Sequence, residues 1–252
     1  MTRTVRARML ALAGCGALLL TGVACGDKSD ANEDRGSQEP SGSSGSSGSS
    51  DPTSTTIDAG DIDVTAPNGW REVPLPTLGF GLAIPEEWEA VLLSEEGLDA
   101  LKRADPSVPG FAEAAEATAA SGGVFYAAGV EANDRVTDLK VRAAPDTGVT
   151  TAAALYNYAL TLATESGLVE PSIKVKTDAD RPTVVVRYSS EVERTDPDDP
   201  EAEPTKVTVE GSEQLVVSPS GVVYSVIVTS ENPEGHDAFA DRVFDTLAFV
   251  PA

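Results

Sequence analysis

Hydrophobic and polar positions follow different rules in different parts of this chain. From Met9 to Val23 nearly every residue is apolar or small, while from Gly26 to Thr56 almost none is apolar. From Trp70 onward, short apolar runs alternate with Gly, Pro, Asn and Asp, the pattern of a folded domain. Residues 78–84 read as a strand with Phe80, Leu82 and Ile84 on one face, ended by Pro85. Residues 88–93 read as a second short strand. Ser94 can cap a helix over 95–103, with Glu95 and Glu96 in the first turn and bases in the last, as the helix dipole favours. The Ala- and Glu-rich run 111–120 predicts another helix.

Residues 123–130 and 139–143 predict strands on either side of an Asn133-Asp134 turn. Thr150 or Thr151 can cap a helix that runs to Ser166, where Gly167 supplies a left-handed stop. Val184, Val186, Tyr188 and Val192 then alternate with polar residues, as do Val207, Val209, Leu215 and Val217. Such alternation predicts antiparallel strands with one buried and one wet face. Gly211 and Glu213 fall on the apolar parity, which predicts a bulge or a local rise from the core. Residues 222–229 are apolar on both parities and predict a more central strand. Asn232 and Pro233 open a last helix with Phe239, Val243 and Leu247 along one face. The order predicts one α+β domain with a largely antiparallel sheet packed with helices.

Charge and cysteine content narrow the function classes. The formal net charge is −23, from 18 basic and 41 acidic residues. Residues 1–24 hold Arg3, Arg6 and Arg8 and no acid, so the remainder is more acidic still. This excess argues against nucleic acid as a partner and against an electrostatic hold on anionic lipid. Both cysteines, Cys15 and Cys25, precede the domain. The domain therefore has no disulfide, no cysteine nucleophile and no thiolate metal site.

The N-terminus has a basic stretch, an apolar run of signal-peptide length and the end Leu20-Thr21-Gly22-Val23-Ala24-Cys25. It resembles the lipobox of bacterial lipoproteins, which implies a diacylglycerol on Cys25 and cleavage in front of it. Leu12-Ala13-Gly14-Cys15 is the better local match, but it leaves an apolar core of only about six residues. Cys25 is therefore the expected lipidation site, with Cys15 the alternative. The expected division is a signal over 1–24, a lipid-anchored Ser/Gly/acidic linker over 25–66 and a single domain over 67–252. The linker is too polar to offset its ordering entropy. As a flexible coil of roughly 31 residues over 26–56 it reaches ~30 Å. Ile57, Ile62 and Val64 are where docking onto the domain can begin.

Gly79-Phe80-Gly81-Leu82-Ala83-Ile84-Pro85-Glu86-Glu87-Trp88 resembles the opening strand of PsbP-like domains, with Glu87 in place of that family's Gly. The close, Phe239 and then Phe244-Asp245-Thr246-Leu247-Ala248-Phe249, resembles the family's final helix and tail. With the lipid signal and linker, the whole resembles the LpqN-type lipoproteins of mycobacteria and other actinobacteria. The resemblance implies an antiparallel sheet flanked by helices and a binding or assembly role, and it carries over no catalytic residue.

Candidate chemistry is sparse. His236, the sole histidine, would be the base of any Ser–His–Asp triad, but it starts the last helix, where an exposed or capping residue is expected. One histidine and no domain cysteine do not make the usual zinc set. Asp196, Asp198 and Asp199 are weak candidates for a hard cation, the alternative being a solvated acidic hairpin loop. Trp70, Trp88, Phe125 and Tyr126 either line an apolar pocket or pack the core. The leading expectation is a non-enzymatic binding or scaffold module without a cofactor. It would sit on the outer face of the cytoplasmic membrane, held by lipid on Cys25 and facing an envelope protein. A carrier of an apolar ligand such as a lipid or glycolipid is the alternative, and a cell-wall hydrolase the third.

Overall fold

The computed structural model describes residues 62–250 apart from 132–134, 145–146, 169–170, 177–181, 195–202 and 204. Cys15, Cys25, Ile57, the predicted Asn133-Asp134 turn and the cation candidates Asp196, Asp198 and Asp199 lie outside the described residues.

The strands are β1 (Trp70–Leu75), β2 (Phe80–Pro85), β3 (Glu89–Leu92), β4 (Gly123–Val130), β5 (Val136–Ala144), β6 (Ser172–Lys176), β7 (Thr183–Arg194), β8 (Thr205–Val217), β9 (Val223–Ser230) and β10 (Ala248–Phe249). The helices are α1 (Glu95–Leu101), α2 (Phe111–Ala120), α3 (Ala152–Glu165) and α4 (His236–Asp245). The fold is α+β. Seven strands form one sheet in the order β3-β4-β5-β9-β8-β7-β6, and β1-β2-β10 form a second. Every pairing among the described residues is antiparallel. As its two-sided apolar pattern predicts, β9 is central in the larger sheet.

Local signals place the helix starts. Ser94 Oγ accepts from the Gly97 N–H at 3.1 Å and Thr151 Oγ1 from the Ala154 N–H at 3.2 Å, the two predicted caps. Gly167 takes φ +67°, the left-handed stop expected after α3.

Alternation then decides which face each strand buries. Phe80, Leu82 and Ile84 from β2 meet Phe125, Ala127, Leu139, Val141, Val226 and Val228 from the large sheet, and α4 adds Ala240, Val243 and Phe244. The small sheet and α4 thus cover one face of the large one. On the other face α3 closes over Val184, Val186, Leu215 and Val223, while α1 and α2 close over Tyr126 and Ala128. The back of β2 is covered as well, since Ile62 and Val64 pack on Ala83.

The structure corrects three expectations. First, β8 carries no bulge at Gly211 or Glu213: its register with β7 and β9 is continuous. Tyr188, directly across from Gly211, lays its ring where a Cβ would stand. Glu213 stays in the strand because Ser225 Oγ donates to its Oε1. The irregularity lies in β4 instead, between Gly123 and Phe125. Second, α4 ends at Asp245, so Leu247 follows the helix rather than extending its apolar face. Third, β1, β6 and β10 are strands that the hydrophobic pattern did not announce.

Candidate functional site

The four aromatic residues of the candidate pocket do not share one space. Trp88 and Phe125 belong to the core between the sheets, and Trp70 packs at its edge. Tyr126, the next residue along β4, points to the opposite face and packs against Phe111 with ring centroids 5.1 Å apart. Phe239 joins the two tryptophans, at 5.4 Å from Trp70 and 5.3 Å from Trp88. The Trp88 indole lies flat on Gly129, whose ideal Cβ would fall 2.2 Å from its Nε1. Arg242 sits 5.6 Å over the Trp70 ring. These are packing geometries, with little room beside the rings.

His236 is not exposed, contrary to expectation. The first turn of α4 presses it onto β8, leaving it 5 % exposed. There its Nε2 lies 3.1 Å from Ser212 Oγ, and Ser212 is fully buried. The Nδ1 atom is buried without a partner. Burial holds the imidazole below its ordinary pKa against the opposing pull of Asp237 and Glu210. A serine–histidine pair with no carboxylate on Nδ1 and no solvent at the hydroxyl cannot present a nucleophile to a substrate. Nearby, Arg187 ties β7 to α4 through Asp237 Oδ2 at 2.9 Å and Asp241 Oδ2 at 2.7 Å.

The face of the large sheet between α2 and α3 is different. Here β5, β9 and β8 form a floor of polar side chains, brought together by register. Asp138 lies opposite Thr229, Lys140 opposite Ile227 and Arg142 opposite Ser225. Ile227 in turn lies opposite Glu213, and Thr229 opposite Gly211. Lys140 Nζ pairs with Asp138 Oδ2 at 3.0 Å, and Thr229 Oγ1 donates to Asp138 Oδ1. Both charges are recessed, with side chains 19 % and 7 % exposed. Arg142 is half-buried, and the only side-chain hydrogen bond it makes among the described residues runs to Ser121 Oγ at 3.4 Å. Ser121 caps the C-terminal end of α2. Burial pushes the Glu213 carboxyl above the ordinary carboxylate range, against the lowering effects of Ser225 and Arg142. Burial also raises the phenol of Tyr158 on α3, with Glu213 adding to it, and that of Tyr126, with Asp138 adding to it.

This strip was partly visible beforehand. Asp138, Lys140 and Arg142 share one parity of β5, but that is also what any solvated strand face looks like. Glu213 gave a sharper signal by standing on the apolar parity. What the sequence did not reveal is that the two signals meet. Among the described residues no group of three or more His, Cys, Asp or Glu side chains is placed to hold a metal ion.

No protein-family model matches the chain, and no curated protein does. Among solved structures, it is similar to cyanobacterial PsbP (CyanoP) from Synechocystis sp. PCC 6803, at 11 % identity and a TM-score of 0.41, covering 73 % of this chain and 95 % of that one. It is similar to a protein from Bacteroides thetaiotaomicron VPI-5482, at 9 % identity and a TM-score of 0.40, covering 72 % of this chain and 48 % of that one. It is also similar to the Saccharomyces cerevisiae Ran-binding protein Mog1p, at 8 % identity and a TM-score of 0.38, covering 75 % and 97 %.

Proposed function

We propose that this chain is an LpqN-type, membrane-anchored extracytoplasmic lipoprotein whose domain is a non-enzymatic binding or scaffold module of the cell envelope. The observation that carries the binding role is the recessed, mixed-charge strip between α2 and α3. Surface lysines and acids ordinarily extend into water, where an ion pair contributes only about 0–1 kcal/mol. Here Asp138 and Lys140 are held between two helices and tied to Thr229, at a desolvation cost that a partner's polar groups can offset. The sealed Ser212–His236 pair supports a non-enzymatic reading, and the filled space around Trp88 favours binding at this strip over carriage in the core. Lipid on Cys25 is the proposed grip on the membrane, since two or more acyl chains hold without a basic patch.

A photo-crosslinking phenylalanine placed at Tyr158 faces the strip, and one at Tyr156 faces outward from α3. In intact cells, Tyr158 should capture one envelope protein that Tyr156 does not. Capture of lipid alone would favour the apolar carrier, and identical products from both positions would refute the strip as the binding surface.

A further inference from the structure

We propose that Arg142, with Ser225 and Glu213 beside it, binds an oxyanion, a carboxylate or phosphate group of the ligand, at the α2 end of the strip. This deepens the reading of the strip as the binding surface and rests on it.

The first observation is an unused guanidinium. Arg142 has five N–H donors. One reaches Ser121 Oγ at the long distance of 3.4 Å, and Nε is buried with no partner. The other recessed bases have carboxylate partners: Lys140 has Asp138 at 3.0 Å, and Arg187, whose Nε is likewise buried without a partner, has Asp237 and Asp241 at 2.9 and 2.7 Å on its terminal nitrogens. A buried donor left unpaired is costly, and a guanidinium fork matches the two oxygens of a planar oxyanion.

The second observation is what stands beside it. Ser225 lies directly across from Arg142, and its hydroxyl donates to Glu213. Glu213 does not close an ion pair onto Arg142 among the described residues. Its burial favours the protonated carboxyl. In that form it does not repel an arriving anion and has an O–H to donate. Deprotonation puts a negative charge at the same place, so binding weakens as pH rises through the Glu213 pKa.

A purely structural role for Arg142 fits less well. Arginine at the end of a helix commonly serves its last carbonyls. Those of α2 are served by Ser121, whose N–H reaches Ala117 O and Thr118 O at 3.2 Å and whose hydroxyl donates to Thr118 O at 2.9 Å. Nor does the acidity of the whole chain forbid an anion here, because charges beyond ~8 Å are largely screened at physiological salt.

The test is titration of the full chain with acetate and with inorganic phosphate at constant ionic strength, followed by NMR at the Arg142 Nε–H in the parent and at the Ser225 backbone amide in the parent and every variant. The expected result is a saturable shift. R142Q should weaken binding about tenfold or more, as loss of a hydrogen bond to a charged group does. R142K keeps the charge and lacks the fork, so it should also weaken binding, while K174Q on β6 should not. E213Q should remove the pH dependence. Saturation by acetate alone assigns a carboxylate, by phosphate alone a phosphate, and by both the shared chemistry. A shift linear in concentration, or R142Q and R142K both binding as tightly as the parent, would overturn the assignment. A Tyr158 crosslink that persists without anion saturation refutes the oxyanion site alone. Loss of the Tyr158 crosslink with saturation intact refutes the protein partner alone.

Discussion

Gly129→Ala tests whether the tryptophan cluster is packed core or the wall of a ligand space. Gly129 sits in β4 with the indole of Trp88 against it. An ideal Cβ there falls 2.2 Å from both Cδ1 and Nε1 and 2.8 Å from Cε2. Non-bonded carbons rest at about 3.5–4.0 Å, so the ring must retreat by ~1.3 Å. Its exits are limited. Trp88 is 6 % exposed, is stacked on Phe239, and has its backbone held by the Pro85 carbonyl and by Arg71. Forcing extra volume into such a site costs typically 1–3 kcal/mol. Replacing a strand glycine returns roughly 0.5–1 kcal/mol of backbone entropy. At the middle of these ranges the net expectation is a loss of about 1 kcal/mol, which for a domain of this size lowers Tm by about 2–4 °C. The assay is thermal and urea unfolding of the parent, G129A, W88F and the double variant. In the W88F background the smaller ring makes room, so the alanine should cost near zero and the cycle should show coupling. If G129A is as stable as the parent, the indole yields into open space. The filled-core account then fails in favour of a pocket.

Three further outcomes follow from other residues. Thr246 Oγ1 accepts from the Ala83 N–H at 2.9 Å and donates to Val243 O at 2.7 Å; Thr246→Val strands a buried N–H and should cost about 1–3 kcal/mol, read as a lower urea midpoint at unchanged m. Burial holds His236 below its ordinary pKa of 6.5, so the unfolded chain takes up the proton first; stability is full above about pH 6.5 and falls as pH drops toward the folded pKa, a slope that His236→Gln should flatten in urea titrations across that range. Cys25→Ser should move the protein from the membrane fraction to the soluble one; a variant that sediments with membranes and needs detergent for release would overturn the lipid anchor.

The elements that were legible in advance are those with self-contained signals. α2 and α3 carry caps or strong helix formers, and β2, β7, β8 and β9 carry strict alternation. β1 was hidden by Pro74 and its charged residues, which a strand at a sheet edge tolerates. β6 is also an edge strand, five residues long with lysines at alternate positions, a composition that discourages further pairing. β10 is two residues long and exists only because α4 returns the chain beside Phe80 and Gly81. The parity of Glu213 marks an anomaly in the sequence, but local reasoning offers only a bulge or a local rise from the core to explain it. The actual explanation, a hydroxyl from the neighbouring strand, is not a local property.

The chain by itself determined the acidity, the absence of cysteine from the domain, the α+β class and the inward side of the strands with clean alternation, β2, β7 and β8. These follow from composition and from periods of 2.0 and 3.6 residues, which act within single elements. Only the tertiary structure decided that His236 is sealed against Ser212, that Trp70, Trp88 and Phe239 come together, and that Arg142, Ser225 and Glu213 converge. Each of those outcomes depends on which strands become neighbours and in what register. Segments far apart in sequence settle that by burying area against one another, and no window of residues carries that information.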